Sequence, residues 1–127
     1  MRSDKVLMAQ LVNQAAGTVN GNPSGPNWLD LSAYSAGAFY LVVTAIGGGS
    51  ITPSFQMSPD NGATIIGTIP TAELAAPTAV SATGATRYPF VSSAAANPPG
   101  LEWPWVRVVN TIVTGPVTAN VYFIGRA

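Results

Sequence analysis

From Ile51 to Ser58 the chain reads ITPSFQMS, and it alternates without a break. Ile51, Pro53, Phe55 and Met57 fall on one face; Thr52, Ser54, Gln56 and Ser58 fall on the other. A period of two is the mark of a strand with one buried and one wet face, and a helix cannot satisfy it. No apolar pattern of helical period persists elsewhere, and 13 Gly and 11 Pro interrupt the 127 residues at short intervals. The chain is therefore read as all-β. Pro53 cannot donate to a ladder, so this strand is expected at a sheet edge or with a bulge at that residue.

The other elements follow from the same signals. Lys5 to Asn13 reads as a first strand with Leu7, Ala9 and Leu11 on one face. Gly17 to Asn27, GTVNGNPSGPN, is too rich in Gly, Pro and Asn to be regular and is expected to be an arm or a mobile loop. WLDLS, Trp28 to Ser32, is a short strand, and AFYLVVTAI, Ala38 to Ile46, is apolar on both faces, as a central or subunit-facing strand would be. GGGS, Gly47 to Ser50, turns the chain; no Lys follows it and a strand comes next, which argues against a phosphate loop.

Ala63 to Ile69 and Thr86 to Ser92 are further strands, and Ser93 to Gly100 is a loop. Between them Pro70 to Ala85 is ambiguous, with Thr71 to Ala76 compatible with a single helical turn. At the C-terminus, Trp105 to Val113 and Val117 to Gly125 flank TGP and read as a long hairpin. About eight strands at this spacing predict an antiparallel β-sandwich or a jelly-roll-like barrel, as a single domain over residues 1–127 with a flexible N-terminal arm.

Composition narrows the chemistry. The chain has no Cys and no His, which removes disulfides, thiolate metal sites and the commonest general base together. The five carboxylates, Asp4, Asp30, Asp60, Glu73 and Glu102, are scattered one to a segment. No catalytic residue, metal site or cofactor site is expected, and the chain is not read as an enzyme. Charged residues are 8% of the chain, against about 25% in ordinary domains, and five basic residues balance five acidic ones. Nucleic acid is therefore not expected as a partner. No apolar run approaches a membrane span. The first residues faintly suggest a leader, but a cleaved one is not expected: the apolar stretch Val6 to Val12 is interrupted by Gln10, and Asp4 sits where a leader is positive. A surface this poor in charge is either meant to be covered, by a partner or by copies of itself, or belongs to a plain Ser/Thr-rich β-protein.

Two motifs invite a functional reading. SPDNGAT could be a metal loop, but only Asp60 is a carboxylate; Pro59, Asp60, Asn61 and Gly62 in that order are turn chemistry between two β-runs. EWPWVRV places Trp103, Trp105 and Arg107 on one side of a strand. Arg107 is expected to cover the tryptophan edges or to pair with a carboxylate such as Glu102. Such a cluster suits a core or subunit interface, or a sugar-stacking platform to which Tyr34, Tyr40 and Tyr88 would contribute.

Four segments, LVNQAAGTVNG, LDLSAYSAGAFYLVVTAI, TPSFQMSPDNGAT and WPWVRVVNTIVTGPVTANVYFIGRA, together resemble the small β-sandwich proteins of tailed-bacteriophage virions, the head decoration or cement proteins in particular. The resemblance implies a non-enzymatic structural protein made in the host cytoplasm and carried on the capsid surface. It further implies that the protein binds the major capsid protein and self-associates as a trimer or another oligomer. The N-terminal arm and the Gly17 to Asn27 loop would then reach over a neighbouring capsomer. The alternative is a carbohydrate-binding or host-attachment module of a phage tail or a secreted bacterial protein, with Trp103, Trp105, Arg107 and Tyr40 as its candidate contacts.

Overall fold

The computed structural model of the chain describes residues 3–23, 25–32, 34, 36–69, 74–91 and 105–126. Nine strands follow in order: β1 (Ser3–Gln14), β2 (Gly17–Asn20), β3 (Leu29–Asp30), β4 (Ala36–Ile46), β5 (Ser50–Ser58), β6 (Gly67–Thr68), β7 (Gly84–Val91), β8 (Trp105–Val113) and β9 (Val117–Arg126). They form two antiparallel sheets. Sheet A has the order β1-β9-β4-β7, and sheet B has the order β2-β8-β5-β6, with β3 also paired to β8. The fold is an all-β sandwich, and neither sheet closes into a barrel.

Alternation decides what each strand buries. On β5, Ile51, Pro53, Phe55 and Met57 point inward, as their spacing predicts. On β8 the inward set is Val106, Val108, Asn110 and Ile112, and on β9 it is Val117, Ala119, Val121 and Phe123. Phe39 of β4 stacks on Phe55 of β5, with centroids 4.1 Å apart. Phe123 and Tyr88 extend this aromatic spine. Each fully buried side chain of this size contributes about 1.5–3 kcal/mol relative to exposure.

Pro53 sits where a missing donor does no harm. Ile51 exchanges both backbone bonds with Val80, and the Phe55 carbonyl accepts from the Ile69 amide, all on the side of β5 away from β8. By the two-residue period the nitrogen of Pro53 faces that same side, where no strand among the described residues pairs with it.

Several expectations are corrected. The β8–β9 connection is not a hairpin, because β8 pairs only within sheet B and β9 only within sheet A. Thr114, at φ 59°, and the cis Gly115–Pro116 bond carry the chain from one sheet to the other. The links β1–β2 and β4–β5 make the same crossing, and the register sets all three side by side at one end of the sandwich. GGGS is thus an arch between sheets rather than a turn within one. A Cβ on Gly49 would collide with the carbonyls of Val113 and Thr114, and one on Gly115 would lie 2.8 Å from the Gln14 carbonyl.

Leu7 does not share a face with Ala9 and Leu11. A bulge between Leu7 and Ala9 shifts the β1–β9 register, so Met8 becomes buried and Leu7 turns outward, 44% exposed. The Gly17 to Asn27 segment is only partly loop, since Gly17–Asn20 is β2 on β8. Its remainder is tied down by the bonds Gly21 N to Val108 O, Gln10 N to Asn22 Oδ1 and Asn22 N to Asn27 Oδ1. Ser3 and Asp4, expected in a flexible arm, belong to β1. Of Ala63 to Ile69 only Gly67–Thr68 is strand. From Leu74 onward the Pro70 to Ala85 segment is irregular up to β7 and holds no helix; Leu74 is buried, and Pro70 to Glu73, with half of the expected helical turn, lie outside the described residues.

Candidate functional site

The aromatic corner of sheet B is built around Arg107. Trp105 and Arg107 both point out of β8, opposite Ser58 and Gln56 of β5. The Arg107 Nε donates to Gln56 Oε1 at 2.8 Å, and its guanidinium carbon lies 4.9 Å from the centroid of Trp28. Arg107 therefore does cover a tryptophan, but it is Trp28, which the spacing of EWPWVRV could not indicate. Trp103 and Glu102 lie outside the described residues. Trp28 in turn rests on the loop after β5, at Gly62, where φ is +89° and a Cβ would collide with the indole. The only clue in the sequence was the Gly itself.

That loop is a closed hydrogen-bonded unit. The buried Ser58 hydroxyl accepts from the amides of Asp60 and Gly62 and donates to Asp60 Oδ1 at 2.8 Å. The same carboxylate oxygen accepts from the Thr64 amide at 2.7 Å. These bonds, that from Thr64 first and that from Ser58 second, hold the Asp60 carboxyl below its ordinary value. Asn61 and Gly62 take the left-handed backbone. The turn chemistry predicted for SPDNGAT is present, but as a local turn within a longer connection, since β5 next pairs at Gly67. Among the described residues no three His, Cys, Asp or Glu side chains cluster.

The proposed aromatic platform does not assemble from its described members. Strand parity sends Tyr88 into the core, and Tyr34 packs edge-on against Phe123 with its hydroxyl donating to Asp4 Oδ2 at 2.8 Å. Tyr40 faces outward, but from the opposite sheet to Trp105 and Arg107.

Tyr40 belongs instead to a surface that the sequence reading missed, the outer face of sheet A. The register makes cross-strand rows there: Lys5, Ile124, Ala38 and Pro89; then Leu7, Tyr122, Tyr40 and Arg87. Lys5 Nζ lies 4.4 Å over the Tyr122 ring, and Asn120 Nδ2 donates to the Tyr122 hydroxyl at 3.2 Å. A shallow pocket of about 360 Å³ opens among Gly37, Ala38, Tyr40, Arg87, Ile124 and Arg126. The signal was available: taking every second residue of VTANVYFIGR gives Thr118, Asn120, Tyr122, Ile124 and Arg126 as one face. The outer face of sheet B is different in kind, with a row of Thr18, Thr111 and Thr52 beside Asn20, Val109 and Ser54.

No helix among the described residues is long and apolar enough to cross a membrane. The chain matches no family model, no curated protein and no solved structure.

Proposed function

We propose that the protein is a non-enzymatic virion structural protein, a decoration or cement protein that binds and stabilises the capsid shell of a tailed bacteriophage. The observation that carries this reading is the outer face of sheet A. An outward sheet face is ordinarily polar. Here Leu7 and Ile124 are exposed beside Tyr40 and Tyr122 on one sheet face, which is the composition of a binding patch. The resemblance of four segments to phage decoration proteins supplies the kind of partner, the major capsid protein.

A cement protein works by area and shape. It stabilises the assembled state by mass action and by repeating its contact over many sites. A sandwich of two sheets, each with an outer face, suits that task. On this reading the protein self-associates, as a trimer or another oligomer, and resides on the capsid surface.

The test is co-sedimentation of the purified protein with expanded empty capsids. Saturable binding at a fixed copy number per shell is expected, together with a higher shell melting temperature. Protein that stays in the supernatant at every concentration would remove the reading.

A further inference from the structure

We propose that the outer face of sheet A is the docking face, and that its occupant is an acidic, carboxylate-bearing protein surface rather than a second copy of this chain. This inference rests on the reading of the chain as a shell-binding protein and names the face and the partner's charge.

Among the described residues the charges are segregated. Lys5, Arg87 and Arg126, three of the five basic residues, all point out of sheet A. No described carboxylate joins them. Asp4, on the same sheet, lies opposite Gly125 in the inward register and accepts from the Tyr34 hydroxyl. The exposed Asp30 and Asp60 belong to sheet B and its loop. Arg87 and Arg126 line the same pocket, on either side of β4, with Ala38, Tyr40 and Ile124 between them. Lys5 is spread over the Tyr122 ring at the other side of the face.

This arrangement selects its partner. A guanidinium presents a planar fork that matches a carboxylate, and two of them open on one shallow, predominantly polar pocket. Tyr and Arg around small apolar residues are the composition of protein-binding hot spots. A two-fold contact of this face with its own copy would bring six cations together and is selected against. Three cations on a neutral chain are too few to hold a phosphate backbone at physiological salt.

The experiment uses the full chain, Arg87→Glu, Arg126→Glu and the milder Arg87→Gln, with Thr52→Glu on the opposite face as control. Circular dichroism and thermal unfolding verify that each is folded. Three probes are used: expanded empty shells in co-sedimentation, and a Glu-rich peptide with its Gln counterpart and a duplex DNA, both followed by amide NMR shifts. The Glu peptide is expected to shift Leu7, Ala38, Tyr40, Arg87, Tyr122 and Ile124, and the Gln peptide is not. Each charge reversal is expected to weaken both the peptide and the shells roughly tenfold, Arg87→Gln less, and Thr52→Glu not at all.

Shell binding that survives both reversals but is lost in Thr52→Glu would overturn the inference and leave the shell reading standing. Peptide binding at this face with no binding to shells would keep the inference and remove the shell reading. Duplex DNA bound more tightly than the peptide would overturn the inference. So would concentration-dependent self-association that Arg87→Glu abolishes.

Discussion

Phe39 of β4 lies flat against Phe55 of β5, with ring centroids 4.1 Å apart and planes inclined by 22°. The pair joins the two sheets, since one ring comes from each, and Phe123 and Tyr88 pack against it. Phe39 is fully buried. Phe39→Ala is expected to cost about 3–5 kcal/mol, because the cavity lies between sheets that cannot collapse onto it strand by strand. Phe39→Leu should cost less than half of that. Urea denaturation followed by circular dichroism reads both, and equal losses would show that the ring itself, not the volume it fills, carries the contribution.

Asn110 occupies an inward position of β8 at 0% exposure, and neither amide atom has a hydrogen-bond partner among the described residues. A buried polar group left unpaired costs about 1–3 kcal/mol. Asn110→Leu, similar in size and apolar, is therefore expected to stabilise the protein by about that amount and to raise its melting temperature. Tyr88 has an unpartnered buried hydroxyl, and burial pushes its phenol up from its ordinary value. Tyr88→Phe should also stabilise, by about 1 kcal/mol. Calorimetry of the two variants is the check; a large destabilisation by Asn110→Leu would mean that the amide is bonded after all.

The Ser58–Asp60 turn makes stability depend on acid pH. The folded carboxyl titrates below its ordinary value of 3.8 because it accepts from the Thr64 amide and the Ser58 hydroxyl. A lowered folded value means that the ionised form is the stabilising one. The contribution is complete above 3.8, the value for the unfolded chain, and is lost as pH falls through the lower folded value. The difference in urea midpoint between wild type and Asp60→Asn should be constant at neutral pH and shrink below that range. Ser58→Ala, which removes the acceptor for two amides, is expected to cost about 1–3 kcal/mol at neutral pH.

How much of this was legible in the sequence depends on whether the signal was local. Ile51 to Met57 declares its buried face because nothing interrupts the period of two. Trp105 to Val113 was placed as a strand at its correct ends, from its β-branched residues and the TGP that follows it. What parity cannot carry is a register shift or a choice of partner. The bulge at Met8 reverses Leu7, and no residue between Leu7 and Ala9 announces it. The residues TGP are equally compatible with a hairpin and an arch, and the decision between them lies in the pairing of β9 with β1 and β4. The sheet A face was missed because its members come from four strands distant in the sequence. Lys5, Tyr40, Arg87 and Tyr122 become neighbours only once the strand order is known.

The arches provide the sharpest test of that topology. Gly48 and Gly49 are adjacent in the GGGS arch, yet they answer to different constraints. Gly48 has φ +72° with nothing within 4 Å of a would-be Cβ, so Gly48→Ala should meet only the left-handed backbone penalty, about 1–2 kcal/mol. Gly49 has no such φ, but its Cβ would collide with the Val113 and Thr114 carbonyls of the neighbouring arch. Backbone cannot swing aside as a side chain can, so Gly49→Ala is expected to cost more than Gly48→Ala. Were β8 and β9 joined as a hairpin, those carbonyls would turn within one sheet and would not be carried past Gly49 toward the other. The ranking would then reverse, and the denaturant midpoints of the two variants decide it.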